Sequence, residues 1–350
     1  MKEYVELLEK LIRCRAVSDD IPAVNRATMI LHDFLAGHGL CCKLEESADG
    51  RKILYAAPDG TKTPDYLCNA HIDVVPAPEA LYMPEIRGAR IYGRGSSDCQ
   101  GCVTAIARAL VLAGKNGRGG AFFSADEEIG GATTGEMIRL GYRPKKLAVV
   151  VDASAWSIAC AQKGILNVRL VAHGRAGHAS EPWAFDNALD RLIDGYVKIR
   201  AAWPEMSAAV WGDSMAATIC QAGSVSNRIP EIAEMTLNIR YTEPEGENRI
   251  LDFLRETSGL EVVKEMLYCP PVVCDPENPE IVLLRRTMER SFGREIGLCR
   301  MCGATDARWF PPETPTAIIG IEGEGCHSDS EWADLESIRL YSEMLAALFA

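Results

Sequence analysis

The sequence predicts an α/β protein: a mixed sheet flanked by helices, interrupted by an inserted α+β domain of ferredoxin-like order. Short apolar runs bounded by Gly and Pro alternate with amphipathic stretches over residues 1–163 and again over 270–350. Between them, residues 164–269 read as strand–helix–strand–strand–helix–strand, the order of a ferredoxin-like unit. The Pro-rich stretch from Pro270-Pro271 to Pro279 marks the return to the first domain.

In chain order, Met1 to Leu8 alternates charged and apolar residues at helical spacing, so it reads as an amphipathic helix rather than a secretory signal. Asn25 to Gly37 reads as a second helix, and Ile53–Ala57 and Tyr66–Ala70 as short strands. The second strand delivers His71 and Asp73 at its C-terminal end. Two residues apart on an extended chain, they point the same way, so the carboxylate can fix the imidazole tautomer. Tyr92-Gly93-Arg94-Gly95-Ser96-Ser97-Asp98 forms a glycine-containing loop before a helix over Val103–Ala113. Asp98 there reads either as an N-cap or as a carboxylate with both oxygens free to bridge two ions. No Gly-Lys-Ser/Thr follows to make a phosphate loop.

The apolar run Ala121-Phe122-Phe123 ends in Ser124-Ala125-Asp126-Glu127-Glu128-Ile129-Gly130-Gly131. Three acids in a row repel one another unless positive charge sits among them. The alternatives are a solvated acidic turn and a metal site in which one carboxylate binds the ion while its neighbour moves protons. Lys146 to Asp152 is a continuous hydrophobic run of the buried parallel-strand kind, again ending in an acid. Because ligands gather at the C-terminal ends of strands in open α/β sheets, His71, Asp73, Glu127, Glu128 and Asp152 are all expected at one edge. In the insert, strands are expected over Gly164–Ala172, Met215–Gln221, Met235–Tyr241 and Leu260–Leu267, with helices over Asn187–Ala202 and Gly246–Thr257. Thr316–Ile321 reads as a buried strand that brings His327 to the same edge, and a helix over Leu335–Ala350 closes the fold.

With 350 residues the chain is long enough for two domains, and its net charge of −12 argues against nucleic acid and anionic membranes as partners. No apolar run approaches the roughly 20 residues needed to cross a membrane. The 13 cysteines are scattered, with a single Cys-x-x-Cys interval at Cys99 and Cys102. They read as reduced, mostly buried small apolar residues of a cytoplasmic protein.

The ordered set His-Ile-Asp-Val-Val-Pro, Gly-Arg-Gly-Ser-Ser-Asp-Cys-Gln-Gly, Ser-Ala-Asp-Glu-Glu-Ile-Gly-Gly, Val-Val-Asp-Ala-Ser, His-Gly-Arg-Ala-Gly-His-Ala-Ser, Gly-Ala-Thr-Asp-Ala-Arg and Gly-Cys-His-Ser-Asp-Ser-Glu resembles the M20 metallopeptidase family. That family includes deacetylases, desuccinylases, aminoacylases, glutamate-type carboxypeptidases and dipeptidases. The resemblance implies a zinc-peptidase-like catalytic domain over 1–163 and 270–350, with 164–269 as a dimerisation or lid domain. It implies two divalent ions, zinc with cobalt or manganese as alternatives. Asp98 would bridge them, His71 and Asp152 would complete one site, and Glu128 and His327 the other. Glu127 would be the general base and Asp73 the partner of His71. In a homodimer, His178 would reach the neighbouring subunit's site and bind the developing oxyanion. Asn227 and Arg308 match substrate-contact positions, with Arg228 and Lys163 as rival cations for a substrate carboxylate; the alternative for Arg308 is a salt bridge to Asp306 or Glu313.

The implied substrate is an N-acyl amino acid or short peptide, with deacylase ahead of dipeptidase or aminopeptidase. A non-catalytic, ligand-binding relative is the reading from another class, and the complete ligand set with Glu127 argues against it. No Gly-x-Ser-x-Gly elbow supports a serine hydrolase. The chain departs from the family in the short loop from Pro76 to Arg90 and in Cys99-Gln100 after the bridging acid. Cys99, Cys102 and Cys326 are expected to pack, although a soft ligand would alter metal preference.

Overall fold

The computed structural model describes residues 1–153 and 155–350. Ser154, the last residue of the Val-Val-Asp-Ala-Ser stretch, lies outside the described residues. The chain forms two compact units: Met1–Ala161 with Val273–Met301 and Thr305–Ala350, and Gln162–Val272 with Cys302–Ala304.

The first unit is built on a mixed sheet, nine-stranded among the described residues. Its middle strands are Gly119–Ser124, Tyr66–His71, Leu147–Val151 and Thr316–Ile319, all parallel neighbours in that order. Every residue of these four strands is buried, which is why they read as continuous apolar runs. Lys52–Ala57 and Cys41–Glu46 extend one side antiparallel. Helices Lys2–Arg13, Ile21–Gly37, Gln100–Ala113 and Leu335–Phe349 bury leucine, isoleucine and alanine in a common core with the sheet.

Two helix starts differ from the sequence expectation. Ile21–Gly37 begins before Asn25, because the Asp20 side chain accepts from Ala23 N–H and Pro22 sits in the first turn. Gln100–Ala113 begins three residues before Val103 with Cys99 at the cap position, so Asp98 is not the N-cap and its carboxylate stays outside the helix.

A second, small antiparallel sheet escapes the sequence reading because its strands are two or three residues long. It orders Gly323–Glu324, Trp332–Asp334, Arg90–Tyr92 and Glu85–Arg87. Its pairing brings the loop after Tyr92 alongside the loop before Trp332.

The second unit has the ferredoxin-like order: strand Gly164–His173, helix Ala188–Ala202, strands Ser214–Ala222 and Ile232–Tyr241, helix Gly246–Ser258 and strand Glu261–Lys264. The sheet is antiparallel, with Ile232–Tyr241 and Gly164–His173 central. Strand Ser214–Ala222 lies at the edge and is exposed from Ala216 onward. The last strand is shorter than the expected Leu260–Leu267. Among the described residues no helix is long and apolar enough to cross a membrane.

Close approach at the helix start depends on Gly101. A Cβ there would stand 2.2 Å from the Ser96 carbonyl oxygen and 2.6 Å from Ile321 Cδ1. Gly101→Ala should therefore destabilise the protein by about 1–3 kcal/mol. Gly37→Ala, where nothing lies within 4 Å of the added methyl, should be neutral or stabilising by up to about 1 kcal/mol. Denaturant unfolding of the two variants checks the contrast, and equal effects would remove the packing explanation.

Candidate metal centre

Register places the site. His71 is the last residue of its strand and pairs in parallel with Ser124, so the acidic segment that follows Ser124 starts level with the imidazole. On the other side, Leu147–Val151 runs parallel and hands over to Asp152. Asp98 comes from the loop before helix Gln100–Ala113, and His327 from the hairpin loop before Trp332–Asp334. His327 adopts φ +61°, a left-handed conformation that costs a non-glycine residue about 1–2 kcal/mol.

The side chains form an unbroken series. Asp152 Oδ1 lies 4.0 Å from His71 Nε2. His71 Nε2 lies 3.0 Å from Asp98 Oδ1, and Asp98 Oδ2 lies 3.2 Å from His327 Nε2. His327 Nε2 is in turn 3.0 Å from Glu128 Oε2. Asp98 thus offers one oxygen to each imidazole. His71 Nδ1 is 2.9 Å from the Asp73 carbonyl oxygen, which places the proton of the neutral ring on Nδ1 and leaves Nε2 as a ligand.

Candidate ligand atoms of His71, Asp98 and Glu128 lie within 4.8 Å of one another, as do those of His71, Cys99 and Asp152. Carboxylate oxygens and imidazole nitrogens in this number fit divalent zinc, and also cobalt or manganese. Cys99 Sγ is a soft donor at the edge of the set. It donates to the Val151 carbonyl oxygen at 3.1 Å, and burial with the neighbouring Cys102 pushes its thiol well above the usual range.

Electrostatics mark the same place. Burial pushes Asp98 up, but His327 and His71 outweigh it and hold the carboxyl well below the usual range. Burial lowers His71, but Asp73, Asp98 and Asp152 raise it well above the ordinary imidazole value. The hydrogen bond to Asp98 takes His327 up to about 9. Burial takes Asp152 up to about 7, against the attraction of His71. Burial and the Asp306 charge push Glu127 well up, with His71 and Arg308 pulling the other way.

Asp73 does more than orient His71. Its carboxylate is 3.5 Å from His71 Nδ1 and accepts from Ser18 Oγ and from the backbone N–H groups of Glu127 and Glu128. Asp126 lies apart, accepting from the Thr133 N–H and hydroxyl. Burial pushes it up to about 6.

Arg308 occupies the short 3₁₀ helix Asp306–Trp309, whose N-cap Thr305 accepts from the Ala307 N–H through its side chain. Besides the expected Asp306, Arg308 meets the carboxylate of Glu127. Nη1 is 3.2 Å from Glu127 Oε1 and donates to the Thr305 carbonyl oxygen, whereas Nη2 is 4.0 Å from Asp306 Oδ1. Asp306 thus keeps the expected ion pair with Arg308 at its outer limit, and its Oδ2 also accepts from the hydroxyls of Ser124 and Thr134.

In the second unit, His178 pairs with Arg228 in a two-residue ladder, and Ala179 N–H donates to the Asn227 carbonyl oxygen. His178, Asn227 and Arg228 are therefore neighbours, and all three are exposed. Ser180 N–H donates to His178 Nδ1, which leaves the proton of the neutral ring on Nε2. Arg228 pairs with Glu231 at 2.7 Å. Lys163 donates to the Gly212 carbonyl oxygen and lies over the Trp211 ring.

Residues 67–350 match the model of peptidase family M20/M25/M40. A succinyl-diaminopimelate desuccinylase from Rhodospirillum centenum is 28% identical over 386 aligned positions, covering 99% of this chain and 97% of the relative. Among solved structures, aminopeptidase PepT from Bacillus cereus superposes with a TM-score of 0.82 at 16% identity, covering 99% of this chain and 97% of that one. The YXEP protein of Bacillus subtilis, described as a dinuclear metal binding peptidase from the M20 family, gives 0.73 at 15% identity, with 99% and 96% covered. The match spans most of the sequence, and the chain belongs to peptidase family M20/M25/M40, a family of metallohydrolases.

Proposed function

We propose that this protein hydrolyses the amide bond of N-acyl amino acids, as a deacylase of the desuccinylase or deacetylase type, and that it works as a cytoplasmic homodimer with two divalent ions, zinc in the first place, in each chain. The observation that carries the reading is Asp98, whose two oxygens face His71 and His327 separately, with Glu127 next to the candidate ligand Glu128. The name of the Rhodospirillum relative supports the acyl preference.

His71 and Asp152 would hold one ion, Glu128 and His327 the other, and Asp98 both. When bound, the ions polarise the scissile carbonyl and acidify the attacking water. Everything else falls to the chain. Glu127 takes the proton from that water and returns it to the leaving nitrogen; its buried setting pushes its affinity for a proton upward, as that cycle requires. The Arg308 guanidinium, 3.2 Å away, steadies the ionised form and fixes the carboxylate's direction. Asp73 anchors the backbone of Glu127 and Glu128, so the base and its neighbour keep a fixed separation.

The second unit would supply the remaining contacts. The exposed edge strand Ser214–Ala222 offers free backbone groups for strand pairing with a second copy. Such a dimer would present His178, with its Nε2 proton outward, to the partner's site as an oxyanion donor. Asn227 and Arg228, its neighbours, would meet the amino-acid part of the substrate.

A panel of N-succinyl, N-acetyl and N-formyl amino acids set against dipeptides tests the substrate class. Turnover is expected on the acyl amino acids, and a clear preference for dipeptides would replace the deacylase reading. Glu127→Gln should keep the wild-type metal content, read by elemental analysis, and lose roughly 10²- to 10⁴-fold in turnover; near-normal activity would move the base elsewhere. For assembly, inactive His178→Ala and inactive Glu127→Gln chains should regain activity when mixed under conditions of subunit exchange. No recovery, with exchange demonstrated, would place His178 in its own chain's site or in none.

Protons and metal compete for the same atoms. The hydrogen bond to Asp98 raises His327 to about 9 and burial raises Asp152 to about 7, so both favour a proton over a wider range of pH than usual. Zinc affinity should therefore fall as pH falls through this window, most steeply below about 7, with protons released on binding. Chelator competition titrations across that range check it, and a flat profile would contradict the ligand assignment.

A further inference from the structure

We propose that Glu331 is a positioning residue: it locks the loop that carries Asp98 to the loop that carries His327, and so sets the geometry for the second of the two ions. The inference rests on reading the Asp98 cluster as a two-cation site.

Glu331 is fully buried, yet none of its oxygens serves the ligand series. Oε1 accepts from the backbone N–H groups of Ser97 at 3.0 Å and Asp98 at 3.1 Å. Oε2 accepts from Gly95 N–H at 3.0 Å and from Arg94 Nη1 at 2.5 Å. Its own carbonyl oxygen accepts from Gly93 N–H. One carboxylate therefore binds three backbone N–H groups of the segment that ends in Asp98, and that segment is otherwise loop. Arg94 continues the link, because its Nη2 donates at 3.2 Å to the carbonyl oxygen of Ser328, the residue after His327. Gly325 completes the clamp. It holds φ +79°, and a Cβ there would stand 2.8 Å from the Ser330 carbonyl oxygen.

A buried ion pair of this kind brings little net stability over apolar side chains of the same volume. What it provides is a fixed geometry for two loops with no strand of their own at the site. His71 and Asp152 need no such help, since one ends a buried strand and the other follows one directly. The ions should thus depend on Glu331 unequally. The ion at His71 and Asp152 draws on the sheet, with Asp98 as its one loop-borne ligand. The ion at Glu128 and His327 draws on Asp98 and His327, both held by the clamp.

The test is stepwise zinc binding to Glu331→Gln, by competition with a chelating indicator, alongside thermal unfolding of the metal-free protein. A glutamine turns its own N–H₂ toward the donors on one side and breaks the set. The expected result is a first ion bound with close to wild-type affinity and a second weakened about 10- to 100-fold. Two ions held as in wild type, or both affinities falling together with the metal-free melting temperature, would overturn the proposal. Arg94→Lys decides the matter if Glu331→Gln does not fold. It keeps a charge beside Glu331 but cannot also reach the Ser328 carbonyl, so a smaller weakening confined to the second ion is expected. An unchanged second-ion affinity there would count against the clamp. Wild-type protein that takes up fewer than two zinc ions would instead remove the two-cation reading itself, an outcome distinct from either variant's failure.

Discussion

Crowding of negative charge at one end of the parallel strands is the constraint that the first unit is arranged around. Asp73, Asp98, Glu127, Glu128, Asp152 and Asp306 are all drawn into or beside one site, most of them with little solvent to screen them. An unpaired buried carboxylate is costly enough that it either takes up a proton or acquires partners. Each acid here meets that demand differently. Asp98 lies between two imidazoles. Asp73 takes a hydroxyl and two backbone N–H groups. Asp306 takes two hydroxyls. Among the described residues Asp152 finds the least polar support, and burial pushes its carboxyl up to about 7. That gradient runs from acids satisfied by the chain to acids that would gain most from a cation.

The sequence revealed the part of this that depends on local pattern. Strands such as Leu147–Val151 announce themselves by unbroken apolar runs, and an acid directly after one is placed by the strand alone. The order of the second unit was readable for the same reason: alternation marks strands with one exposed face, as in Ile232–Tyr241. Helix starts were less readable, because they turn on single contacts such as Asp20 to Ala23 N–H.

What the sequence could not reveal are pairings between distant residues with no periodic signature. Arg94 and Glu331 are 237 residues apart and meet through a sheet of two- and three-residue strands. Arg308 and Glu127 are 181 apart, and nothing near either names the other. The one available signal for Glu331 was an acid in the same short segment as His327, four positions on, and that spacing alone does not separate a surface acid from a buried one.

The Arg308 pairing bears on the proposed recognition of substrate. In the proposed mechanism, a guanidinium that already faces Glu127 and the Thr305 carbonyl would hold the base in place. To bind a substrate carboxylate as well, it would have to share its donors or weaken its hold on Glu127, just when that group must keep its direction. Arg228 has no such duty. It is exposed, its ion pair with Glu231 is of the solvent-screened kind that contributes little, and it lies across the ladder from His178. On the proposed function, the carboxylate of an acyl amino acid would be better matched to Arg228, beside the proposed oxyanion donor, and Arg308 would serve by keeping Glu127 aimed.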